Sequence, residues 1–205
     1  MIRFRRAENT HEILEAKQLL YDFYIRRMGW TLPQNTPTGW MIRKVKGYTI
    51  LDDRYRETSR WYVGKNNGQI EACLRVLYKT PTSPLDIEHY NHTPAFTQFM
   101  REHPDCVELN RFGLLHEHDI FYDMLNFWLL ILDEAQREQW TIVVGNSLGH
   151  AERFVLLEIP QLDDATFKYH ESDVNEVNTY AITADQIPRI MVNCQNMLKG
   201  LATHP

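Results

Sequence analysis

Val107-Glu108-Leu109-Asn110-Arg111-Phe112-Gly113-Leu114 reads as a β-strand with a carboxylate set inside it. Strict alternation sends Glu108, Asn110 and Phe112 to one face of a sheet, and Leu109 and Arg111 to the other. A carboxylate in mid-strand is costly to bury unless it is paired, hydrated or put to use. Two readings stay open on this stretch alone. One is an ion pair between Glu108 and an arginine of a neighbouring strand; the other is a working base.

Downstream, Asp119 is placed to cap a helix from Ile120 to about Gln139. Phe121, Met124, Leu125, Phe127, Trp128, Leu129 and Leu132 make it apolar almost all round, as a helix held against a sheet would be. Thr141 to Val144 is a compact β-branched strand, followed by a helix near His150 to Leu157. Lys168-Tyr169-His170 and Asn178 to Thr183 read as closing strands, and Gln186 to Leu198 as a final helix. Upstream, Trp61-Tyr62-Val63 and Ile70 to Tyr78 flank Lys65-Asn66-Asn67-Gly68, and Asn-Gly is a strong hairpin turn. Ile2 to Arg6 reads as a first strand. Thr10 is placed to cap a helix carrying Ile13, Ala16, Leu20, Phe23 and Tyr24, which ends near Met28-Gly29. Residues 31–50, with Pro33, Pro37, Gly39 and Gly47, read as an irregular loop. This order predicts an α/β, αβα sandwich in which a central helix connects two parallel strands.

At 205 residues and 43% hydrophobic, the chain can bury one good core, so a single domain over residues 1–205 is expected. No apolar run reaches the roughly 20 residues of a spanning helix, and the start lacks a signal-peptide pattern. Cys73, Cys106 and Cys194 lie far apart, which implies neither a disulfide framework nor a zinc site. Cys73 and Cys106 read as inert thiols, and His116 and His118 as loop histidines, so no metal is expected. The expectation is a cytoplasmic protein with no stable membrane insertion. The net charge of −5 is uneven: residues 1–60 carry 12 Lys and Arg against 7 Asp and Glu, and residues 61–205 carry 10 against 20. A basic N-terminal region fits a local anionic partner, but it lacks the interleaved pattern of a nucleic-acid reader.

Several segments resemble the acyl-homoserine-lactone (autoinducer) synthases, a family with the GNAT acyltransferase fold. Val107-Glu108-Leu109-Asn110-Arg111-Phe112 is similar to their Glu-Leu-Ser-Arg-Phe strand. Ala72-Cys73-Leu74-Arg75-Val76-Leu77, then Thr80-Pro81 and Pro84-Leu85, is similar to their Gly-Cys-x-Arg-Leu-Leu-Pro-Thr segment and later proline. Tyr24-Ile25-Arg26-Arg27-Met28-Gly29-Trp30 resembles their Phe-x-x-x-x-Gly-Trp, and Ala151-Glu152-Arg153-Phe154 falls where they carry Val-Glu-Arg-x-Leu. The pieces keep family order over residues 20–160. Three positions depart: Leu20 stands for an arginine, Asn110 for Ser or Thr, and adjacent Asp52-Asp53 for an Asp-x-x-Asp loop.

The resemblance implies a single-domain GNAT-like sandwich with a mixed, splayed central sheet. It implies an acyltransferase that moves a fatty acyl group from an acyl carrier protein thioester to an amine. S-adenosylmethionine is the implied acceptor, giving an acyl-homoserine lactone. The alternatives are a free amino acid, as in the related N-acyl amino acid synthases, or a non-catalytic acyl-binding module. No permanently bound cofactor is implied. By motif position Glu108 is the base, with Arg75, Arg111 and Asn110 around the reacting groups. Tyr24, Trp30, Asp52 and Asp53 are assigned to the acceptor, and Phe112, Val143, Val144, Met124, Leu125 and Trp128 to an acyl slot. Leu114-Leu115-His116-Glu117-His118-Asp119 lacks the glycines of a coenzyme A pyrophosphate loop, which favours a carrier protein. Arg43, Lys44, Lys46 and Arg153 are the candidate contacts for that acidic partner.

Overall fold

The computed structural model describes residues 2–32, 36–115, 120–147, 151–169 and 175–202. Pro33, His116, His118, Asp119, His150 and His170, each named in the sequence reading, lie outside the described residues. Two compact units emerge. One comprises the chain up to Leu77 together with Asn110–Ile120, and the other Tyr78–Leu109 together with the chain from Phe121 onward.

In the first unit, β1 (Arg3–Arg6), β4 (Ser59–Asn66) and β5 (Gln69–Tyr78, up to Leu77) pair antiparallel in that order. The Asn67-Gly68 turn holds both residues at positive φ, 49° and 86°, as the sequence predicted for this hairpin. α1 (Thr10–Leu20) is capped by Asn9 rather than Thr10, because the Asn9 side chain accepts from the Glu12 amide at 3.1 Å. The helical run continues as a π-helix over Tyr21–Arg27 and stops at Met28 and Gly29, close to the expected end. α1 packs on β3 (Tyr48–Asp52), which forms a hairpin with β2 (Met41–Val45). That hairpin replaces the loop expected over residues 31–50. Its turn is Lys46-Gly47, at φ 48° and 87°. Ala16, Leu19, Leu20, Leu51, Trp61, Val63, Ile70 and Cys73 form the core between these elements.

The second half of β6 (Val107–Leu114) lies beside β5, where the Leu115 amide bonds the Glu71 carbonyl at 2.9 Å. In the second unit the first half of β6 pairs parallel with β7 (Ile142–Ser147), from Val107↔Ile142 to Leu109↔Val144. β7 pairs antiparallel with β9 (Val177–Ile182), and β9 with β8 (Gln161–Phe167). β8 therefore precedes the expected Lys168–His170 strand. The order β1-β4-β5-β6-β7-β9-β8 is a seven-stranded mixed sheet, as the GNAT-like reading requires. α3 (Ile120–Glu138) is the connection between the two parallel strands, and α4 (Ala151–Leu156) and α5 (Ile187–Ala202) follow near their expected places. α2 (Pro94–Glu102) has no counterpart in the sequence reading. No helix among the described residues is long and apolar enough to cross a membrane.

Gly113 sets how closely β6 approaches α1. A Cβ there would meet Leu19 at 2.7 Å and Leu20 at 3.0 Å, with the Cys73 sulfur at 3.5 Å. Gly113→Val should therefore lower stability by about 1–3 kcal/mol through overpacking, read as a drop in the urea midpoint with unchanged slope.

Candidate active site

β6 does not alternate strictly. Arg111 has φ 57°, a left-handed value in mid-strand. Asn110 and Arg111 consequently serve one ion group instead of opposite faces, Asn110 through Arg75 and Arg111 through Asp53. At its centre is Arg75 on β5, whose side chain is 1% exposed and the largest fully buried one among the described residues. Its Nε donates to Asn110 Oδ1 at 2.8 Å and its Nη1 to Asp53 Oδ2 at 2.6 Å. The guanidinium also faces the Tyr55 and Trp61 rings at 5.4 and 5.7 Å. Arg111 reaches Asp53 Oδ2 at 3.6 Å, and its guanidinium carbon lies 3.5 Å from the Trp40 ring centroid. Burial pushes the Asp53 carboxyl up. The Arg75 and Arg111 charges, with hydrogen bonds from the Tyr55 amide and Arg75, outweigh that and hold it below the usual carboxylate range.

Asp52 stands in a second ion group. Its oxygens meet Lys17 at 2.5 Å, Arg43 at 3.1 Å, and Arg56. Burial raises its pKa, but the hydrogen bonds and charges of Arg56 and Lys17 prevail and bring it to about 2. Lys17, Asp52, Asp53, Arg75 and Arg111, with Trp40 and Trp61, wall a small pocket near water size. Beside Trp40, Trp30 and Tyr24 complete an aromatic cluster. Ring centroids lie 4.5 Å apart for Tyr24–Trp30, 6.2 Å for Tyr24–Trp40 and 6.1 Å for Trp30–Trp40. The Tyr24 hydroxyl donates to the Phe112 carbonyl at 3.0 Å, which ties this cluster to β6.

Glu108, within the second unit, is fully buried, and its Oε2 accepts from the Ile87 amide at 3.1 Å. Val143 and Val144 on β7, and Met124, Leu125 and Trp128 on α3, are all buried. Trp128 meets Phe154 edge-on at 5.7 Å, and Phe154 lies 4.5 Å from Tyr180. Burial pushes the Cys73 thiol up, and likewise raises Cys106 and Cys194 to about 12, which leaves all three poor nucleophiles at neutral pH. Of the basic residues assigned to a carrier, Lys44 and Lys46 are exposed, whereas Arg43 is engaged with Asp52.

The first unit thus brings together Arg75, Arg111, Asn110 and Asp53, and groups Tyr24 with Trp30. Sequence reasoning missed Lys17, Trp40 and Trp61. Lys17 carries a weak signal: a basic residue in the apolar stripe between Ala16 and Leu20. Trp40 and Trp61 had none beyond residue type.

Neither a known sequence family nor a curated protein matches the chain. Solved structures do. FeeM, an N-acyl amino acid synthase from uncultured soil microbes, matches with a TM-score of 0.69 at 11% identity, over 95% of this chain and 96% of its own. MesI, a CoA-dependent acyl-homoserine lactone synthase, gives 0.66 at 16% identity, over 96% and 95%. BjaI, a CoA-dependent acyl-homoserine lactone synthase bound to SAM and isopentyl-CoA, gives 0.60 at 13%, over 95% and 89%. The fold is the GNAT-like acyltransferase fold. At these identities the likeness is one of fold, and it agrees with the resemblance seen in the sequence.

Two outcomes follow from the ion groups. Asp53→Asn leaves Arg75 as a buried charge without its carboxylate, and should cost about 3–5 kcal/mol in a denaturant titration. The Asp52 and Glu12 carboxyls are both depressed to about 2 in the folded state, Glu12 chiefly by its hydrogen bond from Arg5. Their stabilising contribution is complete above the ordinary carboxylate pKa of about 4 and disappears as pH falls toward 2. Thermal midpoints should drop across that window, and Asp52→Asn should flatten the drop.

Proposed function

We propose that the chain is an N-acyltransferase that moves an acyl group from a thioester to the amine of an acceptor with an α-amino acid head. S-adenosylmethionine and free amino acids share that head. The observation that carries the reading is a fully buried carboxylate, Glu108, held by a backbone amide, two residues before the Asn110-Arg111 pair that closes on Arg75 and Asp53. Its support is the strand motif and the acyltransferase fold.

In this reading Glu108 accepts a proton from the acceptor amine, directly or through one water. The amine nitrogen bonds to the thioester carbonyl carbon, and backbone N–H groups take the developing oxyanion. The C–S bond then breaks, and the proton passes to the departing thiolate. No acyl-enzyme forms. Arg75 positions Asn110 and Asp53, and Arg111 meets the acceptor's carboxylate. Tyr24 and Trp30 flank the acceptor, and Val143, Val144, Met124 and Trp128 hold the acyl chain. A carrier-protein thioester is the donor that the glycine-free Leu114–Asp119 segment favours. Coenzyme A, on which MesI and BjaI depend, is the competitor.

The test is thiol release by the purified full chain, with acyl-carrier protein and acyl-CoA each paired with S-adenosylmethionine and with free amino acids. Mass spectrometry should then find an acyl-homoserine lactone or an acyl amino acid. Glu108→Gln should keep its circular dichroism spectrum and lose about 10²–10⁴ of turnover. Full turnover in that variant removes the base, and no product from any pair removes the reading.

A further inference from the structure

The pocket of the first unit has an unbalanced set of charges. Lys17, Arg75 and Arg111 supply three cations to its wall, and Asp52 and Asp53 two carboxylates. Arg43 and Arg56 meet Asp52 as well and add to the positive excess. Each carboxylate is therefore already occupied by at least two cations of the chain itself: Asp53 by Arg75 and Arg111, Asp52 by Lys17, Arg43 and Arg56.

Lys17 is the unusual member. Its side chain is 8% exposed, it extends from α1, and its Nζ lies 5.7 Å from the centroid of the Trp61 ring. An ammonium has three N–H donors. Among the described residues its hydrogen bond goes to Asp52, at 2.5 Å. A compact cation with donor capacity left over, at the wall of a pocket with excess positive charge, suits a carboxylate oxygen.

Charge then separates the two acceptors left open above. An amino acid ready to attack has a neutral amine and an ionised carboxylate, so its reactive form is an anion and answers the excess. S-adenosylmethionine brings a sulfonium in addition, and lysine or ornithine a second ammonium, into a pocket whose carboxylates are already engaged. We propose that Lys17 is a specificity residue that anchors the acceptor's carboxylate and selects free amino acids with neutral or acidic side chains over acceptors bearing a cation. This rests on the acyl-transfer reading.

The experiment compares kcat/KM for a neutral amino acid, an acidic one, lysine and S-adenosylmethionine in the wild type, Lys17→Gln and Lys17→Arg. Asp52 retains Arg43 and Arg56 when Lys17 is neutralised, and thermal melts check that each variant is folded. The wild type should favour the neutral and acidic acceptors at least tenfold. Lys17→Gln should shrink that preference mainly through KM, and Lys17→Arg should restore it. Tryptophan fluorescence, with Trp40 and Trp61 in the pocket wall, gives a second readout without turnover: titration with the preferred amino acid should be about tenfold weaker in Lys17→Gln. Preference for S-adenosylmethionine, or equal ratios and equal titrations in wild type and Lys17→Gln, overturns the role of Lys17 and leaves acyl transfer standing. Absence of product from every acceptor overturns acyl transfer instead, and the titration then decides alone whether Lys17 holds the carboxylate.

Discussion

A guanidinium removed from water is among the most expensive things a fold can bury, several kcal/mol even after relaxation. In this protein Arg75 is placed there and then compensated by the Asp53 carboxylate, the Asn110 amide oxygen, and the faces of Tyr55 and Trp61. Each compensating group comes from a different place in the chain. Asp53 follows β3, Trp61 sits in β4, and Asn110 belongs to β6. Because the charge tolerates no loose partner, it fixes those elements to β5 more narrowly than apolar packing would. The left-handed turn at Arg111 belongs to the same constraint, since it lets two successive residues of β6 serve one ion group.

The same logic accounts for the basic character of the first sixty residues. Much of it is not a surface field at all. Arg5 pairs with Glu12, with Lys65 from further along the chain on the same carboxylate, and Lys17, Arg43 and Arg56 converge on Asp52. The exposed cations that an acidic partner could meet include Lys44 and Lys46 at the tip of the β2-β3 hairpin, and Arg3 and Arg6 in β1. Net charge along a sequence thus overstated the outward field, because it counts a cation the same whether it faces solvent or a buried carboxylate.

β6 could be read from the sequence to the residue because its apolar and polar positions are dense and its carboxylate stands out. The β4-β5 hairpin could be read because Asn67-Gly68 is a turn signal with a steric cause. The β2-β3 hairpin was hidden: β2 is exposed along most of its length, so it shows no alternation, and Lys46-Gly47 lacks an Asn or Asp. Thr93 and Pro94 cap and open α2, but they lie in a polar stretch that follows Pro81 and Pro84 and drew no assignment. β8 carries Asp163 and Asp164 and is mostly exposed, so the more aromatic Lys168–His170 drew the assignment. At the site, Glu108, Arg75, Asn110 and Arg111 were visible because they fall in two short motifs. Lys17, Trp40 and Trp61 reach the pocket from three separate elements, and no local pattern encodes that convergence.

Because Asn110–Ile120 belongs with the N-terminal 77 residues, neither compact unit is a continuous stretch of chain. On the ribosome, the first 77 residues emerge with β5 still lacking β6 and Arg75 still lacking Asn110. They stay open until synthesis has gone more than thirty residues further. A nascent chain stalled between those points would display an unpaired strand edge and a half-satisfied arginine, the kind of surface that holding chaperones bind.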